Sequence, residues 1–199
     1  MENCEIGQNK RIIEGKKSIS RNNFETVIVY DTQGNEIFRQ EGESQSVKLT
    51  SKQLAQMQGA ILVHNHPFNA EIEQYGLVNT SVFSSSDLNT AFECGLKELR
   101  MVVGNEAHSF SWRENVAPKQ VRELISMLST ETEIANRAIQ TAQDKADSDV
   151  ENGIITNIHD YAAVVYGARV RAVDKVNSVL SDKNNQEAFG YDYRKGNLR

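Results

Sequence analysis

The sequence predicts an α/β protein, a mixed β-sheet flanked by helices with a helical hairpin at the C-terminal end. Three observations point there. The first 115 or so residues hold short β-branched and aromatic runs separated by turn chemistry, and Gly59-Ala-Ile-Leu-Val-His64 has the pattern of a buried strand. Beyond Pro118 the β-runs give way to two long helical stretches, about 118–150 and 154–181, broken at Asn152-Gly153.

Phe24-Glu-Thr-Val-Ile-Val-Tyr-Asp31 reads as the first strand, and the turn Thr32-Gln-Gly-Asn35 leads into Glu36–Gln40 as the second arm of a hairpin. Ser46–Leu49 is expected to form a third strand, and Thr50 to cap a short helix through Met57. After the buried strand comes a loop with little periodicity, Phe68–Val82. Ser84–Leu96 reads as a helix ended near Gly95, followed by strands at Leu99–Val103 and Ala107–Trp112 around the turn Gly104-Asn105. In the C-terminal stretches, Val121, Leu124, Ile125 and Leu128 mark one face of the first helix. The second has a longer face, Ile155, Ile158, Ala162, Val165, Ala168, Ala172, Val176 and Val179.

The expected organisation is therefore residues 1–116 as an α/β domain, 117–182 as a helical hairpin and 183–199 as a polar, partly disordered tail. Residues 118–199 carry 11 basic and 12 acidic side chains, so the hairpin is not a basic arm. It is expected to dock on the first domain, on a second copy or on a larger assembly.

Composition excludes several classes. With 199 residues and 39% apolar side chains the chain can bury a core without disulfides, and Cys4 and Cys94 stand far apart outside any CxxC pattern. Both read as reduced thiols, Cys94 as packing. A net charge of −5 offers no general attraction to a phosphate backbone, which argues against nucleic acid as partner. No apolar run is long enough to span a bilayer, and Met1–Arg11 lacks the apolar stretch of a secretory signal, so the expectation is a soluble cytoplasmic protein without membrane partners.

Three weak features gain meaning together: Glu25 in the first strand, His64-Asn65-His66-Pro67 at the end of the buried strand, and Ser84-Ser-Ser-Asp87 at a helix start. Alternate residues of a strand share a face, so His64 and His66 point to one spot while Asn65 points away. Asp87 from the first turn of the helix completes a two-histidine, one-carboxylate set of the kind that holds catalytic zinc with a position open for water. Zinc lowers the pKa of such a water from about 15.7 to about 7 and polarises a carbonyl. Glu25, sharing its face with Val27 and Val29, is the expected acid/base in a partly desolvated setting, with Glu14 or Glu36 as fallback if it faces solvent. Ser84 is the expected donor to a tetrahedral oxyanion. Each feature also has a plain reading: an incidental His-x-His, a solvated glutamate, and a helix capping box at Ser84-x-x-Asp87. His108 and His159 read as structural or surface residues.

Glu25, His64-Asn-His-Pro67 and Phe83-Ser84-x-x-Asp87-Leu88 together resemble the JAB/MPN fold with the JAMM metalloprotease motif, over roughly residues 12–113. The style is nearest to bacterial and phage-associated JAB-like domains and more distantly to RadC-type domains. The resemblance implies a cytidine deaminase-like α/β fold and zinc held by His64, His66 and Asp87. It also implies Glu25 as acid/base and Ser84 as support for the tetrahedral intermediate. The implied activity is hydrolysis of a peptide or isopeptide bond in a protein or peptide substrate, with Phe68–Val82 looping out as a substrate flap. The alternative is a JAB-like binding or assembly module without catalysis, in a phage or mobile-element setting, using the C-terminal helices to form a homo-oligomer or larger assembly.

Overall fold

The computed structural model describes residues 2–44, 46–70, 73 and 81–198. A six-stranded mixed sheet runs β2-β1-β3-β4-β5-β6. Its strands are β1 (Thr26–Tyr30), β2 (Glu36–Glu41), β3 (Ile61–Asn65), β4 (Glu98–Val103), β5 (Glu106–Trp112) and β6 (Tyr191–Asn197). All neighbours are antiparallel except β3 and β4, which lie parallel with His64 opposite Met101. The short helix capped by Thr50 is α2 (Ser51–Ala55), and the crossover that the parallel pair demands is provided by α3 (Ser85–Glu93). The α/β class expected from the strand and helix runs is what forms.

The sheet is buried on both sides because its strands alternate two apolar sets. Ile28, Tyr30, Ile61, Val63 and Val102 meet Ile12 and Ile19 of α1 (Glu2–Ile19). Gly15 permits the close approach, since a methyl group there would overlap the Tyr30 hydroxyl. On the opposite face Val27, Val29, Leu62, Leu99 and Met101 pack with Leu88 of α3, Leu124 and Leu128 of α4 (Pro118–Glu151), and Val176 and Leu180 of α5 (Ile158–Ser181). Helix α1 was not anticipated: two buried isoleucines seven positions apart among charged and amide residues make too thin a stripe to read as an amphipathic helix.

The hairpin expected after Pro118 is present. Only its base joins the core. Farther out than Ala135, which still belongs to the core, the helices bury Ala146, Ala162 and Ala168, and the far end exposes Val150, Ile154 and Ile158.

Two expectations are corrected. Ser46–Leu49 is not a strand, because the Ser46 carbonyl accepts a hydrogen bond from the Glu43 N–H (2.9 Å) and turns the chain away from the sheet edge. Residues 183–198 are not a loose tail: they form α6 (Lys183–Phe189) and then β6, which pairs along β5 and covers that edge of the sheet. Tyr191 stacks on Phe110 with ring centroids 5.1 Å apart, and Tyr193 is equally buried. Arg113 ties the segment down through Glu187 (3.0 Å) and Asp192 (3.1 Å). Two aromatic residues one strand period apart, both sunk in the core, outweigh a polar flank. Among the described residues, no helix is long and apolar enough to cross a membrane.

Candidate metal centre

His64 is near the end of β3 and His66 just beyond it, where its N–H still donates to the Val102 carbonyl at 3.0 Å. The period-two rule holds: both imidazoles line one cavity while Asn65 points to the opposite side. Asp87 enters from the first turn of α3, aimed by a capping box. Ser84 Oγ accepts from the Asp87 N–H (3.1 Å), while Asp87 Oδ2 accepts from the Ser84 N–H (2.7 Å) and hydroxyl (2.8 Å). The capping and metal readings of Ser84-x-x-Asp87 thus coexist, Oδ2 serving the cap and Oδ1 facing His64.

The distances within the cluster are informative. His64 Nε2 lies 3.6 Å from Asp87 Oδ1, and His66 Nε2 lies 3.7 Å from Asp87 Oδ2. Both are too long for hydrogen bonds. A tetrahedral zinc about 2.0–2.1 Å from each ligand atom would hold its donors roughly 3.4 Å apart, so the cluster is spaced as a coordination shell is. One ligand atom from each of His64, His66 and Asp87 lies within 4.8 Å of the others. His64 Nε2 is buried with no hydrogen-bond partner among the described residues, an expensive arrangement unless something accepts its lone pair. This group can hold a metal ion.

The electrostatics agree. Burial pushes the His64 ring down to about 4, so it is neutral and available as a ligand at neutral pH. Burial alone would raise the Asp87 carboxyl, but the two imidazoles and the Ser84 N–H overcome this and hold it well below the usual carboxylate range. Glu25 moves the other way: burial pushes its carboxyl up, with His66 opposing and Asp87 adding to the shift.

The cavity of about 530 Å³ is lined by Glu25, Val27, Leu62, His64, His66, Ser84 and Asp87, with Val47 and Leu49 on one side. Tyr166, Arg169 and Val170 of α5 contribute another part of the wall. All five residues singled out for chemistry therefore meet at one place. The fallback glutamates do not: Glu36 pairs with Arg39 at 3.2 Å on β2, and Glu14 borders a separate shallow groove beside α1. Most of the segment expected to act as a flap, Phe68–Val82, lies outside the described residues.

Sequence reasoning missed two contributors. Asn65 accepts from the Thr26 N–H (2.7 Å) and donates to the Phe24 carbonyl (2.8 Å), bracketing Glu25 on both sides. The signal was available, since a polar side chain between two outward histidines must turn to the buried side and find partners there. Ser81, whose Oγ meets His66 Nδ1, had no signal beyond its position before the helix.

Comparison with protein-family models, with curated proteins and with solved structures finds no match to the chain.

Proposed function

We propose that the chain is a zinc-dependent metalloprotease of the JAMM type that hydrolyses a peptide or isopeptide bond. One observation carries the reading: an imidazole nitrogen buried without a hydrogen-bond partner among the described residues and a second imidazole stand around one carboxylate at coordination spacing instead of hydrogen-bond spacing. His64, His66 and Asp87 would hold the metal, and the donor set, two nitrogens and one oxygen, suits zinc in an open site. When bound, zinc supplies a Lewis acid and lowers the pKa of a coordinated water toward about 7.

The chain's own groups supply the rest. Glu25, its carboxyl pushed above the usual value by burial, takes the proton of the attacking water and returns it to the leaving amine. Ser84 turns its hydroxyl from Asp87 toward the oxygen that becomes negative as the tetrahedral carbon forms. Val27, Val47 and Leu49 exclude water from the bond under attack, and Arg169 offers a guanidinium to a carbonyl or carboxylate of the substrate. A cavity of about 530 Å³ accommodates a short extended peptide segment.

Metal content tests the reading directly. Protein purified, stripped and reloaded is expected to bind one zinc per chain, and His66→Ala and Asp87→Ala are each expected to bind none. Stoichiometric zinc in both variants would overturn the assignment.

A second reading, an assembly module, is favoured by the far end of the hairpin, where Ile154 and Ile158 are 71% and 58% exposed. It is compatible with a metal site but predicts no turnover.

A further inference from the structure

The metal cluster is braced by a second polar network that joins Ser81 and β5 to the C-terminal third of the chain. His66 Nδ1 is hydrogen-bonded to Ser81 Oγ. Ser81 is itself clamped through its backbone: its N–H donates to Glu106 Oε1 of β5 (3.4 Å), and its carbonyl accepts from Asn177 Nδ2 of α5 (3.0 Å). The two clamps are joined behind it. Tyr193 of β6 donates its hydroxyl to Asn177 Oδ1 (3.1 Å) and meets His108 Nδ1 (2.6 Å), whose Nε2 lies 2.7 Å from Glu106 Oε1. His108, Asn177 and Tyr193 are all more than nine-tenths buried.

We propose that Tyr193, Asn177, Glu106 and His108 are positioning residues for the metal centre, acting through Ser81 on the ring of His66. The inference rests on the metal reading above. Ligation through Nε2 needs the His66 proton on Nδ1, and Ser81 Oγ is the acceptor that keeps it there and fixes the ring plane. Ser81 also precedes Ser84 by one short step, so the clamp fixes the entry of α3 and with it the carboxylate of Asp87. The hairpin and the last strand thus shape the ligand set without touching it. His108 belongs to the site's support, and the closing segment of the chain is part of the metal centre's framework.

The test is zinc affinity of the full chain by chelator competition, together with the visible absorption of the cobalt-substituted protein, which reports ligand geometry. Ser81→Ala is expected to lose roughly 10- to 100-fold in zinc affinity. Tyr193→Phe keeps the ring and removes only the hydroxyl, and is expected to lose several-fold in affinity and to alter the cobalt spectrum. Ser81→Thr, which retains a hydroxyl, is expected to restore most of the loss. Tyr191→Phe is the control, because among the described residues its hydroxyl bonds only to the helix carbonyls of Val179 and Leu180 (3.2 and 3.3 Å). It is expected to lower stability while leaving zinc affinity and spectrum unchanged.

Wild-type affinity and spectrum in both Ser81→Ala and Tyr193→Phe would overturn the positioning role and leave the metal site standing. The same changes in Tyr191→Phe as in Tyr193→Phe would overturn it too, reducing the effect to general destabilisation. A wild-type chain that binds no zinc would overturn both proposals.

Discussion

On β5 and β6, His108 lies 2.7 Å from Glu106 and 2.6 Å from the Tyr193 hydroxyl, and Lys195 reaches the same carboxylate at 3.0 Å. On β3 and α3, the facing atoms of His64, His66 and Asp87 stand 3.6 and 3.7 Å apart and one nitrogen has no hydrogen-bond partner among the described residues. Both clusters set histidine against a carboxylate and both are largely withdrawn from solvent. In the first cluster the hydrogen-bonding capacity is met by the protein, so it stiffens the fold. In the second, capping directs Asp87 Oδ2 toward Ser84 and leaves the remaining donor atoms spaced around a common point. Unsatisfied valence at coordination spacing, more than the presence of histidine and carboxylate, distinguishes a site from a strut.

Removing one ligand from the open cluster should produce the largest effect. Zinc at about 1,000 times its dissociation constant stabilises a folded chain by about 4 kcal/mol, or roughly 8–16 °C in Tm for a domain of this size. His64→Ala is expected to abolish that shift while leaving the zinc-free protein folded, since the lost ring has a buried nitrogen without a hydrogen-bond partner among the described residues. Differential scanning fluorimetry with and without zinc reads both; a zinc-induced shift of wild-type size in His64→Ala would erase the contrast between the clusters.

Glu25→Gln sharpens the contrast differently, because it changes a group beside the ligands and not among them. Zinc stoichiometry should stay at one per chain while turnover of peptides cleaved by the wild type falls roughly 100- to 10,000-fold. A variant that hydrolyses at the wild-type rate would show that another group moves the proton.

Most of the open cluster was legible in the sequence because it depends on local rules. Strand alternation brings His64 and His66 together, and the spacing Ser84-x-x-Asp87 places a carboxylate in a first helical turn. Glu25 joined them through the order of the features and their resemblance to the JAMM motif, its face shared with Val27 and Val29 indicating a partly desolvated setting. The closed cluster was not legible. His108 looked isolated because, beyond Glu106 two positions before it, its partner Tyr193 comes 85 positions further on, in a segment whose polar composition hid the two aromatic residues that order it. Likewise α1 has too few apolar residues to announce itself, and its role depends on Gly15 admitting Tyr30, a contact set by packing.

Ser84→Ala separates the two duties of one hydroxyl. Loss of the cap should cost about 1 kcal/mol and lower Tm by roughly 2–4 °C. Loss of an oxyanion donor should in addition cut kcat roughly 100-fold with little change in KM. A stability loss without the kinetic one would confine Ser84 to orienting Asp87.

The closed cluster makes its own, smaller prediction, in acid. Glu106 would be raised by burial, but hydrogen bonds from His108 and Lys195, with their charges, outweigh this and bring it from the usual 4.5 down to about 2. Among the described residues it faces His108 on its own strand, Lys195 on β6 with Asp174 of α5 behind it at 3.2 Å, and the Ser81 N–H. A carboxyl whose folded value is depressed contributes stability above its unfolded value, and loses that contribution as pH falls through the folded one. Glu106→Gln should therefore be less stable than wild type by a few degrees near pH 6, and the gap should narrow between pH 4.5 and 2 as the wild-type carboxylate takes up its proton. Thermal melts of the zinc-free proteins across that range measure it without interference from the open cluster. A gap that stays constant down to pH 2 would mean that Glu106 acts through shape alone, and that its network is satisfied by hydrogen bonds without the ion pairs.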